Sequence, residues 1–329
     1  ADHWAQAGDA RQAGRWALVA AKHAADRSAP REAHALFLQA LGCGVHEQSL
    51  EPPKALADLY LELARASYGL SDYDEARRWQ AEAQAAYAAL ADRAGLGDVT
   101  GLLAEIQMRQ GDESEAEQLA LASLKIYRET GARVKEGYAL MNLGVIATQR
   151  GDNEQARELF LACHDIMRAA GRPVDLARAL NNLGAIHDLL NDLEQAAAYL
   201  DESLALRRQI DDRRGIAYCL VNLGGIAMKR GFYADARQLV NDSLALLRQI
   251  GEQVAIGTAL GMLGEIALKA GDRPEARRCL LDSLAVRREV GDRGGVSWVL
   301  GKLAEMEADD GYPTAAWTLY REALEIERE

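Results

Sequence analysis

The sequence predicts an all-α repeat protein: a solenoid built from helical hairpins laid side by side. Three observations predict it. The 329 residues include only 6 Pro and 3 Phe, while Ala, Leu, Glu and Arg dominate, a mixture that favours helix over sheet. A set of residue columns recurs every 40 positions without an insertion. Within each 40-residue period, helix-breaking residues recur about 20 apart, so every period holds two helices.

The first column reads Ser71, Gly111, Gly151, Asn191, Gly231, Gly271 and Gly311. Five positions on, it reads Ala76, Ala116, Ala156, Ala196, Ala236, Ala276 and Ala316. Two further columns are adjacent: Leu103, Leu143, Leu183, Leu223, Leu263 and Leu303, then Ala104, Gly144, Gly184, Gly224, Gly264 and Ala304. Gly or Asn in the first column suits the left-handed end of a helix, and the acids that follow (Asp72, Asp112, Asp152, Asp192, Asp272) suit the start of the next. A second break falls at Gly131, Gly171, Asp211, Gly251 and Gly291. The small residues let two helix backbones approach closely. Leu140, Leu180, Leu220, Leu260 and Leu300 lie three positions before the Leu column, and Ile106, Ile146, Ile186, Ile226 and Ile266 three after it. Both sets fill the space between helices.

Taken from the N-terminus, 8–27 and 29–42 read as a helix pair, 43–53 as a loop, and 54–69 as a return to the pattern of the first helix of a hairpin. The expected organisation is therefore 1–70 as less regular hairpins and 71–329 as the array, with repeat starts at 71, 111, 151, 191, 231, 271 and 311. A single hairpin cannot bury its apolar face, so stability must come from stacking on neighbours. The last helix, 312–329, carries Leu319, Leu324 and Ile326, which need a cover. The chain begins at Ala1 without a Met, which suggests a piece of something larger.

Composition excludes several function classes. A net charge of −12 disfavours direct contact with nucleic acid or an anionic membrane. No apolar run approaches the ~20 residues that span a bilayer. Cys43, Cys163, Cys219 and Cys279 lie far apart with no C-x-x-C pair, which fits a reducing, cytoplasmic compartment and neither a disulfide framework nor a zinc site. No G-x-x-x-x-G-K-[ST] loop occurs, and no nucleophile stands beside a base. The expectation is a non-enzyme without cofactor or metal.

The run Leu143-Gly144, Gly151, Ala156, bulky Phe160 and small Cys163 resembles the tetratricopeptide repeat. The period is 40 rather than the usual ~34, and the family's aromatic in the first helix is replaced by Ala147, His187 and Ala227. The resemblance implies a right-handed superhelix whose first helices line a concave groove that binds peptides, proteins or, less often, small ligands. Residues 3–42 resemble the entry to the helical sensor region of bacterial signal-transduction ATPases that act as transcription regulators, in which an NTPase core precedes the repeats. The 40-residue N-L-G pattern is also similar to cell-polarity adaptors and kinesin light chains, which bind extended peptides.

On that resemblance the residue before the Leu column faces the groove: Leu102, Asn142, Asn182, Asn222, Met262 and Lys302. Asn142, Asn182 and Asn222 form a ladder of amides able to clasp a peptide backbone. One turn earlier stand Tyr138, Arg178, Tyr218 and Trp298, and across the helix Asp188, Met228 and Glu265. Aromatics beside an Arg make suitable partner anchors, and Arg178 can take a carboxylate or phosphate bidentately. The alternative reading gives the amides only a bond to a neighbouring helix. His164 interrupts a Leu column, and His187 lacks ligand-spaced partners. The column Ser123, Ser203, Ser243 and Ser283 reads as small packing residues. The resulting expectation is a non-catalytic binding domain. It is either the sensor part of a larger bacterial regulator, taking a protein or small-molecule inducer, or a peptide-binding adaptor.

Overall fold

A computed structural model describes residues 10–26, 29–43 and 54–328. Among them lie sixteen α-helices and no strand. In order they are α1 (Ala10–Asp26), α2 (Pro30–Gly42), α3 (Lys54–Gly69), α4 (Tyr73–Ala89), α5 (Arg93–Gln110), α6 (Glu113–Thr130), α7 (Arg133–Gln149) and α8 (Asn153–Ala169). Then follow α9 (Pro173–Leu189), α10 (Leu193–Gln209), α11 (Arg213–Lys229), α12 (Tyr233–Ile250), α13 (Gln253–Lys269), α14 (Arg273–Glu289), α15 (Arg293–Asp309) and α16 (Pro313–Arg328). The chain divides into two compact units, one up to Ile166 and one from Met167, with the division inside α8. The loop expected at 43–53 lies outside the described residues beyond Cys43.

The helix limits follow from the columns. Asp72, Asp112, Asp192 and Asp272 each close a helix start, the side chain accepting the backbone N–H three residues on. Asp92, Asp212 and Asp292 do the same at the other break. Gly111, Gly131 and Gly251 end helices with φ of 85°, 69° and 75°, a region that disfavours side chains. The same conformation is forced on Ser71, Ala91, Asn191 and Asp211.

Helices pair most extensively across the turns at 71, 111, 191, 231, 271 and 311, and less across the breaks between them. The hairpins are therefore α3–α4, α5–α6, α9–α10, α11–α12, α13–α14 and α15–α16, with α1–α2 before them. Each break at 91, 131, 211, 251 or 291 is a junction between successive hairpins.

The small column sets how closely the two helices of a hairpin approach. A Cβ at Gly144 would meet Phe160 at 2.5 Å, one at Gly184 would meet Leu200 at 2.5 Å, and one at Gly264 would meet Leu280 at 2.7 Å. Those facing residues are buried. Position 104 is Ala where the facing column holds Ala120. At the three glycine positions the facing partner is bulky. The Ser column bonds across the same seam: Ser203, Ser243 and Ser283 Oγ each donate to a backbone C=O of the first helix (Ala177, Ala217, Gly257) at 2.7 Å. These hydroxyls are fully buried and satisfied.

Candidate functional site

The first helix of each hairpin presents one face that its own second helix does not cover. In the C-terminal unit this face carries the column Arg178, Tyr218, Thr258 and Trp298, all exposed, beside the half-buried column Asn182, Asn222, Met262 and Lys302. The neighbouring Leu column is buried. Helical periodicity accounts for this split: 178 and 182 share a face one turn apart, and 183 points inward.

The groups on the face differ in how they are engaged. Among the described residues, Arg178 and Asn182 form no hydrogen bond or ion pair. Asn222 Nδ2 donates to Asn181 Oδ1 on the preceding hairpin at 3.1 Å. In the N-terminal unit, Asn142 Nδ2 donates to Glu105 Oε1 at 3.2 Å, again across a hairpin boundary. Two members of the amide ladder therefore spend part of their capacity on a neighbouring helix, and the third is open. Tyr218 is 40% exposed, with the Arg214 guanidinium 5.9 Å from its ring centroid. Trp298 is also 40% exposed, and a Cβ at Gly261 would lie 2.9 Å from its indole, so the glycine leaves the ring a seat. Tyr138, in the N-terminal unit, is half-buried and has an interaction partner.

The remaining residues of this set are less available. Asp188 is bound by Lys229 Nζ at 2.7 Å, again from one hairpin to the next. Met228 packs against the apolar core around Leu260 and Leu263. Glu265 is half-buried. His187 places Nδ1 3.2 Å from Asp192 Oδ2 and its ring 5.2 Å from that of Tyr199, and His164 places Nδ1 2.9 Å from Asp165. Both are held by local partners. Among the described residues no three His, Cys, Asp or Glu side chains converge as metal ligands, and no helix is long and apolar enough to cross a membrane.

The N-terminal unit holds a polar arrangement that single-column reading missed. Tyr87 Oη donates to Asp58 Oδ1 at 2.6 Å, and Tyr127 Oη donates to Asp98 Oδ1 at 3.1 Å. Each couple joins the second helix of one hairpin to the first helix of the same hairpin, one period apart. Burial, then the adjacent carboxylate, raises the pKa of both hydroxyls, keeping them donors. Asp58, Asp98 and Tyr87 line a cavity of about 380 Å³ together with Lys22, Glu62 and Arg65. The signal was available as paired columns, Asp58/Asp98 with Tyr87/Tyr127, whose members both change in later repeats.

Hairpin junctions also carry a buried feature. Arg207 Nη1 donates to Asp212 Oδ2 at 2.6 Å, and the guanidinium occupies the space that a Cβ at Gly215 would need. The same pattern recurs 80 residues on with Arg287, Asp292 and Gly295. At the intervening junction Leu247 and Ala255 stand in those places, both buried.

Comparison with known proteins agrees with this architecture. A tetratricopeptide repeat family model matches residues 136–209, 215–289 and 255–329, together more than half of the chain. No curated protein sequence matches significantly. Among solved structures, aspartyl phosphate phosphatase F from Bacillus subtilis is similar with a TM-score of 0.69 at 12% identity, over 97% of this chain and 94% of that one. A Rap protein in complex with competence and sporulation factor is similar with a TM-score of 0.66 at 15% identity, over 97% and 98%. A signal-transduction ATPase with a tetratricopeptide repeat sensor, from Pyrococcus horikoshii, is similar with a TM-score of 0.62 at 16% identity. The match to that ATPase covers 83% of this chain and 42% of the other. At these identities the likeness concerns the fold. The chain belongs to the tetratricopeptide repeat family.

Proposed function

We propose that this protein is a non-catalytic binding module whose first-helix faces hold a protein or peptide partner. The observation that carries the reading is the set of open groups on the C-terminal unit: Arg178 and Asn182 without partners among the described residues, and Tyr218 and Trp298 exposed on the same face. A packed repeat has no structural need for a guanidinium and two large aromatics there, whereas such groups are common energetic anchors of interfaces. Their uncommitted donors suit the backbone and acidic groups of a polypeptide. The similar Rap protein is complexed with competence and sporulation factor, an instance of this kind of fold holding a partner, which supports the reading.

The test is a photo-crosslinking amino acid at position 218 or 258, both exposed on this face, compared with one at exposed Arg208 on the second helix α10, in cells expressing the protein. The reading expects one polypeptide to be captured from 218 and 258 and lost from both on Arg178→Ala. Capture from 208 alone would overturn it. A second reading is that the module is the sensor part of a bacterial signal-transduction ATPase. Similarity to the Pyrococcus sensor-bearing ATPase favours it, and similarity to Rap proteins supports a free-standing module equally.

A further inference from the structure

The C-terminal unit contains one polar path from the first-helix face into a hairpin junction. It begins at Asn222 on α11, whose Nδ2 donates to Asn181 Oδ1 on α9. The Cys219 thiol lies 3.6 Å from that same Oδ1 and 3.3 Å from Ser203 Oγ on α10. Ser203 gives its own proton to the Ala177 carbonyl and accepts from Arg207 Nε at 3.2 Å. Arg207 then holds Asp212, whose other oxygen accepts the Gly215 N–H at 2.9 Å in the first turn of α11.

The thiol makes this more than a static network. It has one proton and two acceptors on different helices, Asn181 and Ser203, so it has two discrete arrangements. Which one it takes depends on how strongly Asn222 already loads Asn181 Oδ1. If an occupant of the face draws the Asn222 amide away, that oxygen is freed and becomes the better acceptor for the thiol. Ser203 then loses a donor at the point where it meets Arg207. Cys219 and Ser203 are fully buried, so water does not replace the lost bond. Burial also raises the thiol pKa, keeping it a donor at neutral pH.

The Asn181–Cys219 part of the path is confined to one junction. The thiol column continues as Ala259 and Val299, and the Asn181 column as Val221 and Gly261. At the related Arg287 clip, Nε still donates to Ser283 Oγ, and Nη2 adds a bond to Thr258 Oγ1. At the junction between them the clip is apolar.

We propose that Asn181 and Cys219 form a relay through which occupancy of the face at Asn222 is read at the α10–α11 junction. A peptide group seated on the Asn222 amide is the class of ligand contact that would work it. The biological use of the relay rests on the binding reading above, but the relay itself can be tested without a partner.

The experiment is residue-resolved amide hydrogen exchange on the full chain, read at Gly215 and the rest of the first turn of α11. Asn222→Ala frees Asn181 Oδ1 to draw the thiol from Ser203 and should speed exchange at Gly215 by about fivefold, the equivalent of one net hydrogen bond. Asn181→Ala leaves the thiol with Ser203 as its acceptor, so it should leave Gly215 unchanged and should cancel the effect of Asn222→Ala. Asn182→Ala, which removes no hydrogen bond among the described residues, should also leave it unchanged. In a Cys219→Ala background, Asn222→Ala should have no further effect. An unchanged Gly215 in Asn222→Ala, or the same change with and without Asn181 or Cys219, overturns the relay. So does a uniform loss of protection across α9–α16, which would mark a merely structural role. Because no partner is present, these outcomes are independent of the crosslinking result.

Discussion

Gly184→Ala tests the packing logic most sharply, because two effects of opposite sign meet at one atom. Replacing a mid-helix glycine by alanine ordinarily stabilises a helix by about 1 kcal/mol. Here the new Cβ would lie 2.5 Å from Leu200 Cγ and 3.2 Å from the Ala196 carbonyl oxygen, against a comfortable carbon–carbon separation of roughly 3.5–4 Å. Leu200 is buried and cannot swing into solvent, and the carbonyl belongs to the backbone of α10. Overpacking of this kind costs about 1–3 kcal/mol, so the net expectation is a loss of ~1 kcal/mol. In a Leu200→Ala background the clash with the leucine is gone and only the 3.2 Å approach to the Ala196 oxygen remains. That change alone costs about 2–5 kcal/mol, but adding Gly184→Ala to it should regain ~1 kcal/mol. The assay is urea unfolding of the four proteins of the cycle, followed by far-ultraviolet circular dichroism. The sign of the Gly184→Ala effect should reverse between backgrounds. Equal stabilisation in both would refute the close-approach argument.

Other outcomes follow from the same geometry. Arg178→Ala and Asn182→Ala should shift the urea midpoint of unfolding by no more than ~0.5 kcal/mol equivalent, because neither side chain has a hydrogen-bond or ion-pair partner among the described residues. Asn222→Ala, which breaks the bond to Asn181, should cost about 1 kcal/mol in the same assay. Asp192→Ala should cost about 1 kcal/mol, since it removes both the α10 cap and the contact to His187. It should also increase amide exchange at Gln195. Burial, with the Glu275 carboxylate next, pushes the Cys279 thiol up to about 11 from an ordinary 9.0. A folded pKa raised in this way gives stability that is in place below pH 9 and is lost as pH rises towards 11. Alkylation of Cys279 should therefore show a midpoint near 11 in folded protein, and half-buried Cys43 should react first at neutral pH.

The repeat made most of the fold legible. Every helix from 73 on is bounded by a residue that the columns marked, because capping and left-handed turns leave local chemical signatures such as Asp112 and Gly111. Ala91 was not legible: it takes a positive φ without being Gly, Asn or Asp, since the flanking hairpins impose it. The pairing of helices across 191, 231 and 271 follows from which bulky residues face which glycines, as Gly184 faces Leu200, a relation between columns rather than within one. The candidate face was legible in its members and not in their engagement. Asn182 and Asn222 are alike in sequence, yet only Asn222 meets an amide 41 residues earlier, because the column that holds Asn181 holds Met141 one period before. The Asp–Tyr couples were missed because their two columns lie 29 residues apart.

Hydroxyl-radical footprinting of the intact protein, read residue by residue by mass spectrometry, tests the central claim that the 40-residue register sorts each first helix into a buried seam and an open face. The account predicts strong labelling of Tyr218 and Trp298 and protection of Leu183, Leu223, Leu263 and Leu303, repeated hairpin after hairpin. Protection of Tyr218 and Trp298 in the isolated chain, or labelling of the Leu column at the level of exposed residues, would contradict it.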